Sequence, residues 1–303
     1  MTAVLTITRA GPLATIQDGG RFGMLAHGIS ASGPMDRAGY ALAGRMVGDA
    51  PAGAVEITTA GLDLRLESGE CRIGFAGGAF TARHNGEPVA WPGGCVLAPG
   101  DSLSISPGPS GNYGYLRFDR AIDVPTIMGS IATNSRVGLG GLQGRALRAG
   151  DRLQLIDGVP GRAQPASLPS EGPVRFIWGL HAELFPTARQ RFVSSAFGIS
   201  TAMDRMGVRL TDPSGVFADN AMLSLVSDAV VPGDIQILGD GTPIVLMRDH
   251  QPTGGYPRIA TIIAPDLDRF AQLRPGSAVA FAPISVEHAQ ELLRSGRHDV
   301  DRS

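Results

Sequence analysis

Short runs in which apolar residues alternate with polar ones, or in which β-branched residues follow one another, recur along the chain between glycines and prolines. This period-two pattern predicts strands at residues 4–8, 55–59, 62–66, 71–75, 113–118, 152–156, 174–178, 235–238, 244–247, 259–263 and 279–281. Helical spacing is rarer. One helix is predicted at 35–47, where Ser32 or Asp36 can cap the free N–H groups, Leu42 and Met46 share a face and Gly48 can end the turn. Two more are predicted at 265–273, with Pro265 in the first turn, and at 286–294, between Ser285 and Gly296. The fold class is therefore mainly β with a few short helices.

Four segments share one local grammar: Pro99-Gly100-Asp101, Ala149-Gly150-Asp151, Pro232-Gly233-Asp234 and Pro275-Gly276-Ser277 each precede an alternating run. Each reads as a tight turn whose side chain bonds the turn backbone, so these aspartates are turn residues rather than catalysts. A fainter repeat pairs Gly28-Ile29-Ser30 and Met35-Asp36-Arg37 with Gly198-Ile199-Ser200 and Met203-Asp204-Arg205, and suggests two related halves. Between them, residues 158–172 carry Pro160, Pro165 and Pro169 without any apolar period, and read as a linker. The predicted domains are 1–157 and 173–303, the second ending in a polar tail from Ser295.

Composition narrows the chemistry. The 303 residues carry 26 basic and 28 acidic side chains, net charge -2, which gives no electrostatic footprint for nucleic acid or anionic membrane. All the basic residues are arginine. Without lysine the chain can form no Walker A loop, no Schiff base and no biotinyl-lysine, so ATP or biotin would enter through a partner. Arginine forks suit carboxylate or phosphate, although a genome that avoids lysine codons gives the same composition. Residues 1–13 read as a strand rather than a leader, and no run of about 18 apolar residues occurs, which predicts a cytoplasmic protein. Cys71 and Cys95 read as small buried residues, and six scattered histidines offer no metal-binding spacing.

Five segments hold the candidate site chemistry. Gln17-Asp18-Gly19-Gly20-Arg21 is either a ligand-holding turn or a hairpin with polar residues in water. Ser32 to Arg37 either binds an anion or caps a helix, and Glu56 is either a half-buried base or the solvent-facing member of its strand. Residues 129–144 cluster hydroxyls, Arg136 and glycines, but Gln143 stands where a dinucleotide fingerprint needs glycine. The densest segment, Asp249-His250-Gln251-Pro252-Thr253-Gly254-Gly255-Tyr256-Pro257-Arg258, lies between two apolar strands, as binding loops do.

In this order, Gln17 to Arg21, Ser32 to Asp36, Glu56 to Thr58, Ile122 to Pro125 with Met128 to Ser130, Gly138 to Arg145 with Gly150-Asp151, and Asp249 to Ala260 with Asp266-Leu267 and Gln272 resemble the family of the 5-oxoprolinase C subunit, also labelled biotin-dependent carboxyltransferase, allophanate hydrolase subunit 2 or KipA-like. The resemblance runs from about Leu5 to Phe281. It implies two tandem cyclophilin-like β-barrel domains and assembly with two further 5-oxoprolinase components, a B subunit that is Kip-type inhibitor-like and an A subunit. Together they would form an ATP-dependent complex that hydrolyses 5-oxoproline to glutamate. No cofactor or metal would be bound by this chain alone, and ATP would act through a partner in the complex. In that scheme Asp18, Asp36, Glu56 or Asp249 would accept a proton, while Gln17, Arg21, Arg136, Gln251, Thr253, Tyr256 and Arg258 would bind substrate. Two other readings follow from the same family: the carboxyltransferase half of a urea carboxylase-like system that needs a biotinylated partner, and a non-catalytic KipA-like regulator of a sensor-kinase inhibitor. The chain departs from the family pattern at Asp119-Arg120-Ala121-Ile122, and at Pro252, where relatives carry a threonine.

Overall fold

Ala3, Leu5 and Ile7 are buried while Thr8 and Arg9 face solvent, so the alternation of Ala3–Ala10 commits one face of the first strand to a core. The computed structural model describes residues 2–48, 50–159, 171–219 and 224–298. Its chain divides into two compact units, Met1–Arg21 with Ser32–Ala166, and Phe22–Ala31 with Ser167–Ser303. Most of the segment predicted as a linker, residues 160–170, lies outside the described residues.

The first unit holds two antiparallel sheets. One runs in the order Ala121–Ile122, Arg152–Ile156, Ala3–Ala10, Leu62–Ser68, Ser102–Pro107, Phe80–His84, Glu87–Val89. The other runs Thr15–Gln17, Ala54–Thr58, Tyr113–Phe118, Cys71–Gly77, Gly93–Leu97. Leu5, Leu64, Leu103 and Leu155 of the first sheet and Val55, Phe75, Leu116 and Phe118 of the second share one apolar core. Helix α1 (Arg37–Val47) lies on the second sheet, where Gly74 has no side chain to hold it off: a Cβ there would overlap the Ala43 carbonyl oxygen. The helix buries Tyr40, Ala43, Gly44 and Val47. The predicted face was Leu42 with Met46, but Met46 is exposed, because the close approach selects small residues rather than the bulkiest ones. Arg117, buried in the strand below, stacks its guanidinium 4.4 Å over the Tyr40 ring.

The second unit closes a seven-stranded barrel in the order Val174–Trp178, Arg258–Ile262, Asp234–Ile237, Pro243–Leu246, Gly207–Thr211, Ala196–Met203, Ala278–Pro283. The ring is shut by a parallel pairing of Ala278–Pro283 with Val174–Trp178. Phe176, Phe192, Phe197, Phe217 and Phe281 fill this unit, with Phe192 and Phe281 stacked at 5.0 Å. Phe192 comes from α2 (Pro186–Ser194), a helix absent from the prediction because its buried stripe is only Ala188 and Phe192. Helices α3 (Ala264–Ala271) and α4 (Val286–His298) match the two predicted C-terminal helices, and α4 absorbs the start of the predicted tail; residues 299–303 lie outside the described residues. Among the described residues, no helix is long and apolar enough to cross a membrane.

The turn aspartates behave as their sequence predicts. Asp101, Asp151 and Asp234 each accept the main-chain N–H three residues back, from Ala98, Arg148 and Val231 at 2.9, 2.9 and 3.0 Å. Hydrogen bonds from the Ala98 amide, Asn85 and His84 hold the Asp101 carboxyl down to about 2. The fainter repeat does not describe equivalent places: Gly198 to Ser200 lie within a strand, whereas Gly28 to Ser30 lie in a loop and Met35-Asp36-Arg37 leads into α1.

Candidate functional site

Polar candidates form one cluster in each unit. In the first, Asp18 reaches the segment 130–131, more than a hundred residues away in sequence. Its Oδ1 accepts from Ser130 Oγ at 2.6 Å and from the Gly20 amide at 2.9 Å, and its Oδ2 accepts from the Ile131 amide at 2.8 Å. Arg21, buried, donates to the carbonyls of Ile127, Ser130 and Ala132. Gln17 donates to Thr133 O and accepts the Gly33 amide at 3.1 Å. The amide, carboxylate and guanidinium of this turn thus tie main chain to main chain, rather than facing water as a simple hairpin would.

Glu56 is fully buried, which rules out the solvent-facing reading. Its Oε2 accepts from the Met35 amide at 2.9 Å and from the Tyr115 hydroxyl at 2.8 Å. Asp36 caps α1 by accepting the Gly39 amide at 2.9 Å, so of the two predicted caps it is the one used. Ser32 instead adopts φ +56°, with its buried hydroxyl unpaired among the described residues. The glycine-rich 138–144 segment presses on the same region. A Cβ at Gly140 would overlap Ala132 O, and one at Gly141 would overlap Thr133 Oγ1, so these glycines permit close packing of main chain rather than cradling a phosphate. Arg136 is exposed beside this turn, its amide bonded to Asn134 Oδ1 at 3.2 Å.

In the second unit, the loop after Pro243–Leu246 brings together Asp249, Gln251, Thr253, Tyr256 and Arg258. Both oxygens of buried Asp249 are taken by Arg205, at 2.8 and 3.1 Å, and the neighbouring Arg248 pairs with Asp268 at 2.9 Å. Arg258 donates to Asp228 Oδ2 at 2.6 Å and Ala229 O at 2.8 Å, and stands 3.5 Å from Asp234. Asp228–Ala229 pairs in turn with Thr253–Gly254, so the arginine binds the small sheet that carries the loop. Gln236 is buried beneath it, accepting from Gln251 at 3.4 Å and donating to Tyr256 O at 3.3 Å. Thr253 and Tyr256 are exposed, Tyr256 at 40%. This loop therefore combines a rigid floor with accessible polar groups, the usual condition of a binding surface.

Two histidines missing from the sequence-derived candidates belong to this cluster. His181 Nδ1 accepts the Arg258 amide at 3.2 Å; burial, then the Arg258 charge, pushes its pKa down. His250 Nδ1 lies 2.6 Å from Gln251 O, and burial lowers its pKa too, against the pull of Asp234 and Asp249. His250 was visible inside the dense loop; His181, Asp228 and Asp234 lie outside it in sequence, and they are assembled by the pairing of Val174–Trp178 and Asp234–Ile237 with Arg258–Ile262 and of Asp228–Ala229 with Thr253–Gly254.

The barrel and its loops, read with the sequence, place this chain in a defined class: it belongs to the carboxyltransferase domain family, subdomain A and B, which matches residues 27–283. Among individual proteins it is similar to the C subunit of 5-oxoprolinase from Escherichia coli strain K12, 35% identical over 297 residues that cover 94% of this chain and 93% of that protein. The 5-oxoprolinase C subunit of Haemophilus influenzae is 30% identical, covering 95% and 94%. The crystal structure of Kluyveromyces lactis urea amidolyase superimposes with TM-score 0.86 at 27% identity, over 99% of this chain but only 20% of that one.

Proposed function

We propose that this chain is the C subunit of an ATP-dependent 5-oxoprolinase, a complex that hydrolyses a cyclic amide, 5-oxoproline, to glutamate together with A and B subunits. The observation that carries this reading is end-to-end similarity: the match takes in nearly the whole of the E. coli protein, whereas urea amidolyase matches through a fifth of its length. An unstrained lactam resists water, so its opening needs an activated carbonyl and a water held in line with it. The absence of lysine supports a division of labour in which a partner holds ATP. This chain would supply the 249–258 loop, with Tyr256, Thr253 and Gln251 as accessible polar contacts and Arg258 setting the loop. Gln17, Asp18, Arg21, Asp36 and Glu56 would hold the backbone rather than touch substrate.

Structural likeness to urea amidolyase supports a second reading, a carboxyltransferase half served by a biotinylated partner. The test is glutamate release from 5-oxoproline and ATP by this chain with its B and A subunits, against the same mixture without it. Release that requires this chain supports the oxoprolinase reading. No release, with a B–C complex still formed, rejects it in favour of carboxyl transfer or of a regulatory role.

A further inference from the structure

The Asp228 side chain is 60% exposed, whereas the Arg258 side chain that binds it is 10% exposed. The contact is one-sided: Arg258 Nη2 donates to Asp228 Oδ2 at 2.6 Å, while Asp228 Oδ1 accepts the Ala229 amide at 2.8 Å within its own segment. Arg258 does not depend on this carboxylate for charge balance. Buried Asp234 stands 3.5 Å from its Nη1, held in place by Thr261 Oγ1 at 2.7 Å and the Val231 amide at 3.0 Å. An ion pair with one partner in water contributes little, and breaking this one leaves no guanidinium without a counter-charge.

The pair nevertheless fastens a cover. Asp228–Ala229 and Thr253–Gly254 form a two-stranded ribbon, extended by bonds from the Leu225 amide to Gly255 O at 2.7 Å and from the Val230 amide to Pro252 O at 3.3 Å. This ribbon lies on Gln236, since a Cβ at Gly254 would overlap Gln236 Nε2. Arg258 ties it to the barrel, holding Ala229 O at 2.8 Å as well as Asp228. Gln236 ties it more loosely, donating to Tyr256 O at 3.3 Å and accepting from Gln251 at 3.4 Å. Gln236 and Arg258 are register partners on neighbouring strands, so a carboxamide and a guanidinium stand side by side under the ribbon. A small molecule that carries an amide beside a carboxylate matches those two groups, donor to acceptor and charge to charge.

We propose that Asp228 is an internal competitor: its carboxylate occupies the place on Arg258 that the carboxylate of a small, amide-bearing acid takes, and the exchange releases the ribbon from over Gln236. The choice of 5-oxoproline as that acid rests on the oxoprolinase reading above; the latch between Asp228 and Arg258 does not.

The test compares wild type, Asp228→Ala and Asp228→Glu in the assembled complex, by amide hydrogen exchange without ATP and by KM for 5-oxoproline with it. In Asp228→Ala the Leu225 and Val230 amides are expected to exchange several-fold faster, while the Ile262 amide, bonded to Gly233 O at 2.8 Å in the barrel, keeps its rate. KM is expected to fall roughly two- to fivefold, because removing the competitor enlarges the binding-competent fraction. Asp228→Glu keeps a carboxylate and is expected to return both readings toward wild type. In the wild-type complex 5-oxoproline is expected to speed exchange at Leu225 and Val230, whereas 2-pyrrolidinone, the same lactam without the carboxylate, is not. Unchanged exchange in Asp228→Ala, an unchanged or raised KM, or the same response to both lactams overturns the proposal and leaves the oxoprolinase reading intact. A wild-type complex that releases no glutamate overturns that reading, and exchange in Asp228→Ala then decides the latch by itself.

Discussion

The Tyr115 hydroxyl donates to Glu56 Oε2 at 2.8 Å and, from the same atom, accepts the Asp36 amide at 2.8 Å. One phenol thus joins a strand carboxylate to the first turn of α1, and burial with the neighbouring Glu56 and Asp36 charges keeps it a phenol by holding its pKa well above 10.0. Tyr115→Phe should cost about 1–3 kcal/mol in urea denaturation, because it strands a buried amide and takes one donor from Glu56. Glu56→Gln keeps an acceptor for both donors and should cost less, with glutamate release retained within a few-fold. Loss of turnover without loss of stability in Glu56→Gln would return this residue to the chemistry.

The Arg205–Asp249 pair, about 5% and 4% exposed, is a second point of leverage. Asp249→Ala should destabilise by about 3–5 kcal/mol, since it leaves a buried guanidinium without its carboxylate. The double change Arg205→Met with Asp249→Leu should recover most of that loss. A cycle of denaturation midpoints measures both.

Glycine substitutions probe the 138–144 turn against a control. Gly129 has φ +78° and open space around it, so Gly129→Ala should cost about 1–2 kcal/mol of backbone strain alone. Gly141 has φ +50° and faces Thr133 Oγ1, which is bonded to Ile16 O; Gly141→Ala should add an overpacking cost of about 1–3 kcal/mol. Equal losses in thermal denaturation would contradict the close approach.

Stability should fall in two stages on acidification. His181 and His250 have folded pKa values below 6.5, so as pH drops through that value the unfolded chain takes up protons first and the fold loses stability. Burial raises the Asp266 pKa, but the hydrogen bonds from Arg175 and Arg269 outweigh it and hold the carboxyl below 3.8. Its contribution is full above 3.8 and disappears as pH falls through the lower, folded value. In a pH series of denaturation midpoints, His181→Gln with His250→Gln should flatten the upper stage and spare the lower.

Tyr256→Phe removes one exposed hydroxyl and should change stability by less than about 0.5 kcal/mol. Its effect should appear in glutamate release by the assembled complex. Unchanged KM and kcat would remove the Tyr256 hydroxyl from the substrate contacts.

Much of this fold could be read from local pattern, and the exceptions have physical reasons. Strands such as Tyr113–Phe118 and Val174–Trp178 agree with their apolar runs residue for residue, because their cores demand it. Ala196–Met203 and Gly207–Thr211 were not among the predicted strands: each alternates correctly, Phe197 with Ile199 and Val208 with Leu210 buried, but only two large apolar residues mark the inward face of each. In the site, the loop 249–258 was legible as a density of polar residues. What the sequence could not display is occupancy: Asp18, Arg21 and Glu56 look like chemistry until the main-chain groups that bind them are seen, and apart from the Gly20 amide those lie from 21 to 113 positions away.

Phe22–Ala31 belongs to the second unit although the chain on both sides of it, Met1–Arg21 and Ser32–Ala166, belongs to the first. The two units are therefore not two consecutive lengths of gene. A fragment expressed from Ser167 onward lacks a piece of itself, and the complementary fragment carries that piece as a surplus loop. A faithful dissection would splice Arg21 to Ser32 through a short bridge and graft Phe22–Ala31 ahead of Ser167, a rearrangement that no single cut can achieve.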